Sequence, residues 1–381
     1  MKRYSLQNDK MKKKIAIIGA KGLPASDGIS RVVECYLPYL TGKYDITVFC
    51  TEAFTDRKSG FYDGYEEVVL SRISNARLNT LWYYIKAVWI ILFKRRFDLV
   101  HFHHSDAAFL FSLLRLKYGK RLLVTTHGAF HDHLNDKWKR YEWYFKLQYN
   151  HFLKSAGYIT GVSLNEKRKG EQIIGREIRY IPNGINADEP VSGKDVGTDY
   201  IFFAAGRIME IKGLDLLLEA CHRIDYTGKI KVAGSMDFTP KDYAEKIANL
   251  AEGLDVEFLG MIKDKSLLLK YLKSARLFVF PSRVEALSMQ LLEGVSMRTH
   301  TIASDITANV DVFNEKEMLF FHSDDSSDLA DKINYAFSHP DDMDGYAETS
   351  YVSLLKNYTW SGIAEQYDEE YQTILKANGK G

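Results

Sequence analysis

Residues 200–221 read YIFFAAGRIMEIKGLDLLLEAC and contain the pattern that repeats along the whole chain. The first six residues form an apolar run, which is typical of a strand covered on both faces of a sheet. The residues that follow at positions i, i+3, i+4 and i+7, on one face of a helix, are Leu214, Leu217, Leu218 and Cys221. A strand, a short polar loop and an amphipathic helix in this order predict a unit of a parallel sheet.

Short apolar runs of the same kind alternate with helical patterns over the rest of the chain. In the first half they span 14–19, 45–50, 98–102, 121–126, 158–162 and 178–181. In the second half they span 230–233, 256–259, 277–280, 301–303 and 318–321. The alternation predicts an α/β fold with two doubly wound parallel sheets.

The chain of 381 residues divides into two predicted domains. With about 150 residues as a typical domain size, its length suffices for two substantial cores. Residues 183–198 are polar and rich in turn residues, so we interpret them as a linker. We expect an N-terminal domain over 11–185, a C-terminal domain over 198–357, and an interdomain cleft. Ligands of open α/β sheets bind at the carboxyl ends of the strands, so the loops after the strands are candidate sites.

Composition excludes several classes of function. Lys and Arg number 51 and Asp and Glu number 50, so the net charge of +1 argues against a cationic nucleic-acid-binding protein. Cys35, Cys50 and Cys221 are too far apart for a zinc motif, and their odd number predicts no disulfide framework. Residues 1–14 are polar and basic and lack the apolar core of a signal peptide, so we expect a cytoplasmic protein.

Two loops carry glycines or cations directly after a predicted strand. Residues 19–29 contain Gly28 ahead of a helix, and backbone amides at the start of a helix favour an anion. This loop does not match the GxGxxG fingerprint of dinucleotide-binding proteins. In the other loop, Arg207 stands at the end of a strand and Lys212 follows at the start of a helix. The two cations predict a clamp for a diphosphate.

The strongest local signal is residues 280–293, FPSRVEALSMQLLE. Glu285 lies in the loop after a predicted strand, and a helix predicted to begin near Ser288 carries Glu293 in its second turn. Carboxylates accept hydrogen bonds from vicinal hydroxyls, so the pair suits a ribose and a hexose. The backbone amides that could face a phosphate are those of Ala286, Leu287 and Ser288.

Histidines cluster in two segments, as His101, His103 and His104 and as His127, His131 and His133. The H-x-H spacing on a strand places the first two side chains on one face. Imidazole is a common metal ligand, but no cysteine accompanies these residues. We therefore favour a structural or substrate-lining role and expect no metal site. A Ser-His-Asp hydrolase is disfavoured because no G-x-S-x-G motif is present.

The sequence resembles the retaining, nucleotide-sugar-dependent glycosyltransferases of family 4, which have the GT-B architecture of two Rossmann-like domains. The resemblance covers nearly the whole chain, and its specificity comes from the order and spacing of several motifs. These motifs are Gly28, Thr126-His127-Gly128, Ile181-Pro182-Asn183-Gly184, Gly206-Arg207 with Lys212-Gly213, Phe258-Leu259-Gly260, and Pro281-Ser282 followed by Glu285 and Glu293. The last matches the E-x7-E motif of the family, and 22–25 resembles a bacterial subgroup that builds surface polysaccharides.

The resemblance implies a role for each matching residue. Arg207 and Lys212 match the cations that bind the donor diphosphate, and Glu285 matches the acid that contacts hydroxyls of the transferred sugar. Glu293 matches the acid that holds the ribose. The resemblance further implies that Gly28 packs near the phosphates and the acceptor, that His127 lines the donor-sugar site, and that a C-terminal helix over 360–378 crosses back to the first domain.

One departure from the family pattern concerns the first loop. The family usually has two adjacent glycines where this chain has Asp27 and Gly28. A carboxylate near a diphosphate repels it unless the side chain turns away or meets a cation.

The resemblance implies a retaining hexosyltransferase that needs no metal cofactor. Its donor is a nucleoside diphosphate sugar, and its acceptor is a glycan or lipid-linked glycan of surface polysaccharide synthesis. Three alternatives stay open. They are a nicotinamide oxidoreductase, a nucleotide-sugar epimerase of the same architecture, and a degenerate transferase that acts as a non-catalytic binding partner.

Residues 78–93, LNTLWYYIKAVWIILF, are too short for the ~20 residues of a membrane-spanning helix. A buried or half-buried helix is the favoured interpretation. Because the segment is aromatic and flanked by Lys94, Arg95 and Arg96, peripheral contact with the anionic inner face of the cytoplasmic membrane is the alternative.

Overall fold

The computed structural model describes residues 12–25, 27–75, 78–105, 107–127, 142–187, 189, 191–193, 195–237, 239–285, 287 and 289–377. The chain forms two compact units. Unit 1 contains the described residues up to Val162, with Glu166–Ile181 and the described residues from Ile363 onward. Unit 2 contains Ser163–Asn165 and the described residues of Pro182–Gly362.

The described residues of unit 1 form a sheet of eight strands in the order β3-β4-β2-β1-β5-β6-β7-β8. β3 and β4 are antiparallel, and the other neighbouring strands are parallel. The strands are β1 Lys14–Ile18, β2 Asp45–Thr51, β3 Gly60–Tyr62, β4 Tyr65–Leu70, β5 Leu99–His103, β6 Leu122–Thr126, β7 Tyr158–Gly161 and β8 Arg179–Tyr180.

The described residues of unit 2 form a second sheet, of six parallel strands in the order β11-β10-β9-β12-β13-β14. The strands are β9 Tyr200–Arg207, β10 Lys229–Ser235, β11 Asp255–Gly260, β12 Leu277–Phe280, β13 Thr301–Ser304 and β14 Leu319–Phe321. Every apolar run predicted from the sequence overlaps a strand, and the predicted α/β fold with two parallel sheets is confirmed.

Two strands at the edge of the first sheet, β3 and β4, are missing from the prediction. β4 reads YEEVVL, and its two adjacent glutamates interrupt the apolar pattern on which the prediction depends. Glu67 is nevertheless fully buried, and its carboxylate lies 3.5 Å from Nη1 of Arg57. A buried acid that is paired across the fold gives no strand signal in the sequence.

Helices connect the strands of both units, and a buried apolar core lies against each sheet. The helices are α1 Gly28–Leu40, α2 Asn79–Phe93, α3 Phe111–Tyr118, α4 Glu142–Leu147, α5 Leu164–Ile174, α6 Leu214–Arg223, α7 Lys241–Ala251, α8 Lys265–Ser274, α9 Met289–Ser296, α10 Thr307–Val310, α11 Ser326–Ser338, α12 Pro340–Asn357 and α13 Trp360–Ala377. Among the described residues, no helix has both the length and the apolar character that a membrane crossing requires.

The last helix, α13, packs in unit 1 through its residues after Gly362. Tyr371 and Ile374 are fully buried there. Asp368 accepts hydrogen bonds from Lys43 Nζ at 2.6 Å and from Tyr44 Oη at 2.5 Å. Buried apolar side chains and a charge-assisted contact therefore both hold the helix.

The Pro182-Asn183-Gly184 motif lies beside the start of α13, within unit 2. A Cβ atom at Gly184 would lie 2.8 Å from the indole ring of Trp360. Ile185 pairs with Thr359 in an isolated parallel bridge. Only glycine leaves room for the ring at this position, which gives the motif a packing role.

Candidate functional site

The candidate site begins at two neighbouring parallel strands of unit 2, β9 and β12. Because the strands are parallel, the loops that follow them start at the same edge of the sheet. There, Nζ of Lys212 lies 2.5 Å from Oε1 of Glu285. The hydroxyl of Ser282 donates a second hydrogen bond to the same oxygen at 2.9 Å. Two residues that the sequence predicts for one site are thus in direct contact.

Gly213 lets the two loops touch. Its φ of +71° is in the left-handed region, and a Cβ atom there would lie 2.0 Å from the carbonyl oxygen of Pro281. Any side chain at this position would push the loops apart. Gly213 therefore sets the distance at which Lys212 and Glu285 face each other.

Arg283 ties the same two loops together through charged groups. Its guanidinium contacts the carboxylate of Asp215 with both terminal nitrogens, at 2.9 and 3.0 Å, and contacts Asp324 through Nε at 2.6 Å. Its Nη1 also donates to the carbonyl of Glu210 at 2.6 Å, and its backbone amide to that of Ile211 at 2.8 Å. A bidentate pair of this geometry fixes orientation as well as distance.

Asp215 is fully buried in the first turn of α6. Burial by itself would raise the pKa of this carboxyl, but hydrogen bonds from Arg283 and Lys246 outweigh that effect and lower the pKa to about 2. Lys246 Nζ lies 2.7 Å from the carboxylate, and the hydroxyl of Tyr243 donates to it at 2.9 Å. The residue is therefore an anion throughout the physiological range.

Sequence reasoning missed Arg283 and Asp215. A signal for them was present, because an acid stands among leucines on the apolar side of a predicted helix. Such an acid requires a buried cationic partner. The identity of the partner depends on the tertiary fold.

Glu293 lies in the second turn of α9, as predicted, and is buried. Its carboxylate forms an ion pair with Nζ of Lys265, the first residue of α8. Each of the two acids of the motif is therefore paired with a lysine. Sequence reasoning also missed Lys265, which no motif singles out.

Arg207 ends β9, and its side chain is exposed. Within the described ranges it makes no ion pair, so its charge is available to an anionic ligand. Leu287 is half-buried in the loop after β12. Ala286 and Ser288, the other two predicted amide donors, lie outside the described residues, so the amide contact with a phosphate stays a prediction.

The first loop of unit 1 differs from a simple anion-binding turn. Oδ1 of Asp27 accepts hydrogen bonds from the amides of Ile29 and Ser30, both at 3.0 Å, and Oδ2 accepts one from the Ser30 hydroxyl at 2.7 Å. Asp27 is the N-cap of α1, which explains an acid at this position. A Cβ atom at Gly28 would meet nothing within 4 Å, so this position is open. The role predicted for Gly28 stays a prediction.

His127 follows β6 in unit 1 and joins His101 and His103 in one cluster. The rings of His101 and His103 lie 4.1 Å apart, so the predicted common face of β5 is confirmed. Burial lowers the pKa of His127 and of His101 to about 3, and lowers that of His103 well below its usual range. All three imidazoles are therefore neutral at physiological pH. In the part of the chain that the structure describes, no group of three side chains could hold a metal ion; His131 and His133 lie outside it.

Two family models match the chain. Residues 26–189 match Glycosyltransferase Family 4, and residues 199–339 match Glycosyl transferases group 1. The chain is a glycosyltransferase family 4-like protein with the GT-B fold.

Curated relatives share part of this sequence. Alpha-maltose-1-phosphate synthase of Mycolicibacterium smegmatis is 26% identical over 194 residues, which are 48% of this chain and 50% of the relative. Glycogen synthase of Chlorobaculum parvum is 25% identical over 180 residues, 44% of this chain and 35% of the relative. The chain spans about half the length, or less, of these relatives.

Solved structures share the fold over nearly the whole chain. Sucrose-phosphate synthase from Thermosynechococcus elongatus has a TM-score of 0.79 at 20% identity, and the match covers 96% of this chain and 100% of the synthase chain. Anabaena Alr3699/HepE in complex with UDP-glucose has a TM-score of 0.71 at 14% identity and covers 95% of this chain and 100% of its own.

The low pKa of Asp215 predicts an acid-sensitive contribution to stability. The pKa falls from 3.8 to about 2 on folding, so the contribution is complete above about pH 4 and is lost as the pH falls towards 2. Asp215→Asn should lower the free energy of unfolding by about 3 kcal/mol at pH 6. The difference in stability between the parent protein and this variant, followed by thermal unfolding, should narrow as the pH falls from 4 to 2.5.

Asp324→Asn is the matched control, because Asp324 is 70% exposed and pairs with the same guanidinium. Its effect should be about 1 kcal/mol or less. A stability difference between the parent protein and Asp215→Asn that stays constant with pH would contradict the ion-pair account.

Proposed function

We propose that the protein is a retaining glycosyltransferase. It transfers a hexose-type sugar from a nucleoside diphosphate sugar to a hydroxyl of a glycan or lipid-linked glycan in surface polysaccharide synthesis. The observation that carries the proposal is the contact of Lys212 with Glu285 at the carboxyl edge of β9 and β12. It places a cation suited to a diphosphate beside an acid suited to sugar hydroxyls.

The solved neighbours support a nucleotide-sugar donor. Anabaena Alr3699/HepE is described in complex with UDP, with UDP and glucose, and with UDP-glucose. The E-x7-E acids and the two cations of this chain are the residue types that such a donor needs.

In the proposed mechanism, Arg207 and Lys212 bind the donor diphosphate and neutralise the charge that develops as it departs. Glu285 accepts hydrogen bonds from hydroxyls of the transferred sugar, and Glu293 from those of the ribose. The leaving diphosphate helps to deprotonate the acceptor hydroxyl, which then attacks the same face of the sugar. This chemistry needs no metal ion.

Each of the two acids in the proposed donor site has a lysine partner. Lys212 neutralises Glu285 and Lys265 neutralises Glu293, so each of the two largely buried carboxylates has a cationic partner. Lysine has a flexible stem and three donors. Each lysine can therefore turn to a phosphate or a hydroxyl while it stays near its acid.

We further propose that unit 1 contacts an anionic membrane surface. The exposed residues of α2 are all apolar, namely Leu81, Trp82, Ile85, Trp89 and Phe93. Leu116 of α3 is 86% exposed, and Nζ of its neighbour Lys117 donates to the carbonyls of Ile91 and Leu92 at the end of α2. Aromatic side chains beside basic residues are typical of helices that lie in a membrane interface.

Charge around these helices supports the same proposal. Residues 78–120 contain seven Lys or Arg and two Asp or Glu, a difference of +5 in a chain whose net charge is +1. Lys94 and Arg96 are exposed directly after α2. Basic residues near an anionic surface contribute about 1 kcal/mol each to binding.

Removal of both diphosphate-binding cations should abolish most of the activity. We expect Arg207→Ala with Lys212→Ala to lower turnover of a nucleoside diphosphate sugar about 10²-fold or more, because preorganised charge on the leaving group is lost. The matched control is Lys229→Ala with Arg276→Ala, two exposed cations at the amino ends of β10 and β12. Analysis of the sugar products formed from the donor in the absence of an acceptor tests the alternative that the protein is a nucleotide-sugar epimerase. A double variant that keeps full turnover would overturn the assignment.

Vesicle flotation tests the membrane proposal. With vesicles that contain anionic phospholipid, we expect the parent protein to float, and Trp89→Ser with Phe93→Ser to lower its partition coefficient about tenfold or more. Phe61→Ser is the control, since Phe61 is 71% exposed and lies on β3 of the same unit. A parent protein that stays entirely in the soluble fraction would contradict the proposal.

A further inference from the structure

The ion pair between Lys265 and Glu293 joins two helices of unit 2 that are separated along the chain. Lys265 is the first residue of α8, and Glu293 lies in the second turn of α9. The side chain of Glu293 is 9% exposed, and that of Lys265 is 27% exposed. A carboxylate with so little access to water requires compensation of its charge, and Nζ of Lys265 supplies it.

The position of Lys265 on its helix is unfavourable for a cation. The N-terminal end of a helix carries a partial positive charge, which repels a lysine in the first turn. The N-cap residue Asp264 offsets part of this repulsion, since its carboxylate accepts hydrogen bonds from the amides of Ser266 and Leu267 at 2.9 and 3.3 Å. The helix itself does not favour a lysine at this position, but the ion pair with Glu293 does.

Contacts with the linker hold the first turns of α8 in place. The hydroxyl oxygen of Ser266 accepts a hydrogen bond from the amide of Ser192 at 2.7 Å and lies 2.8 Å from the hydroxyl of the same serine. One turn further on, Nζ of Lys270 donates to the carbonyl of Gly193 at 2.7 Å. The backbone of Lys265 is therefore anchored, so its ammonium group has a fixed origin from which to reach Glu293.

The backbone of Glu293 is held in the same way. Its carbonyl accepts a hydrogen bond from the hydroxyl of Ser296 at 2.8 Å. The next residue, Gly294, lies directly against β12, because a Cβ atom there would be 2.6 Å from the ring of Phe278. Side chains of α8, α9 and β12 also share one buried apolar core. Both ends of the ion pair thus stand on fixed backbone.

We propose that Lys265 is a positioning residue, which holds the Glu293 carboxylate ionised and in one orientation so that it accepts hydrogen bonds from the ribose hydroxyls of the donor. The proposal rests on the proposed function. A carboxylate has about four acceptor sites on its two oxygens, so one ammonium group leaves capacity for two hydroxyls. Without the lysine, this buried carboxylate turns towards water or takes up a proton, and either change removes acceptors from the ribose.

The opposite role for Lys265 would be competition with the ribose. If the ammonium group had to leave Glu293 before the ribose could bind, removal of the lysine would strengthen binding. Burial of Glu293 favours positioning instead. Exchange of the ammonium group for two neutral hydroxyls would leave a buried charge with weaker compensation, because charge-assisted hydrogen bonds are roughly twice as strong as neutral ones.

Binding of nucleotides with and without ribose hydroxyls tests the proposal. UDP, GDP and ADP are each compared with their 2′,3′-dideoxy forms by isothermal titration calorimetry. For a nucleotide that binds, we expect the parent protein to prefer the ribose form about tenfold or more, since hydrogen bonds to a charged acceptor are strong. Lys265→Met should lower this preference to about threefold or less, and Glu293→Gln should lower it as well.

The ratio of the two affinities separates positioning from a merely structural role. A variant that is partly unfolded loses affinity for both forms alike, so the ratio stays unchanged. Lys265→Arg keeps the cation and should retain about half of the preference or more. Lys273→Met is the matched control and should keep the parent ratio, since Lys273 is an exposed lysine in the last turn of the same helix.

The outcomes distinguish this proposal from the proposed function. If the parent protein binds a nucleotide but Lys265→Met leaves the ratio unchanged or raises it, the positioning role is overturned while the proposed function stands. A raised ratio would show that the lysine competes with the ribose for Glu293. If the parent protein binds none of the three nucleotides, the proposed function fails and the role of Lys265 fails with it.

Discussion

The candidate site depends on the ion pair between Arg283 and Asp215. One residue lies in the loop after β12 and the other in the first turn of α6, so the pair joins the two loops from which the site is built. Gly213 allows the closest approach of these loops, and the guanidinium keeps them at that distance. Lys212 and Glu285 face each other as a result. A buried pair of this kind gives little net stability, but the loss of one partner is costly. The arrangement of the two loops therefore requires both residues.

Much of the fold could be predicted from local patterns. A parallel strand covered by helices needs an apolar run, and each predicted run overlaps a strand. Strand β4, next to the edge of the first sheet, could not be predicted, because its two glutamates break the pattern and the burial of Glu67 depends on Arg57. The spacing of His101 and His103 predicted a common face because the side-chain period of a strand is two.

Only those site residues that stand in recognisable motifs could be predicted. Lys212 and Glu285 were predicted as site residues because they lie in loops that follow strands, and Glu293 because it lies in the second turn of the helix after such a loop. Lys265 could not be found, since its contact with Glu293 joins two helices that are separated along the chain. Asp27 was a departure without an explanation in the sequence, and its hydrogen bonds to Ile29 and Ser30 now supply one. A capping role of this kind is compatible with a working transferase.

Thermal unfolding in the presence of nucleotides tests the central claim, that unit 2 carries a nucleoside diphosphate site. The parent protein is screened against UDP, GDP and ADP and their common sugar conjugates. A ligand at 100 times its dissociation constant should stabilise the protein by about 2.7 kcal/mol, which raises the unfolding midpoint by a measurable amount. A shift with one nucleotide family supports the account and identifies the base. An unchanged midpoint with every nucleotide would contradict it.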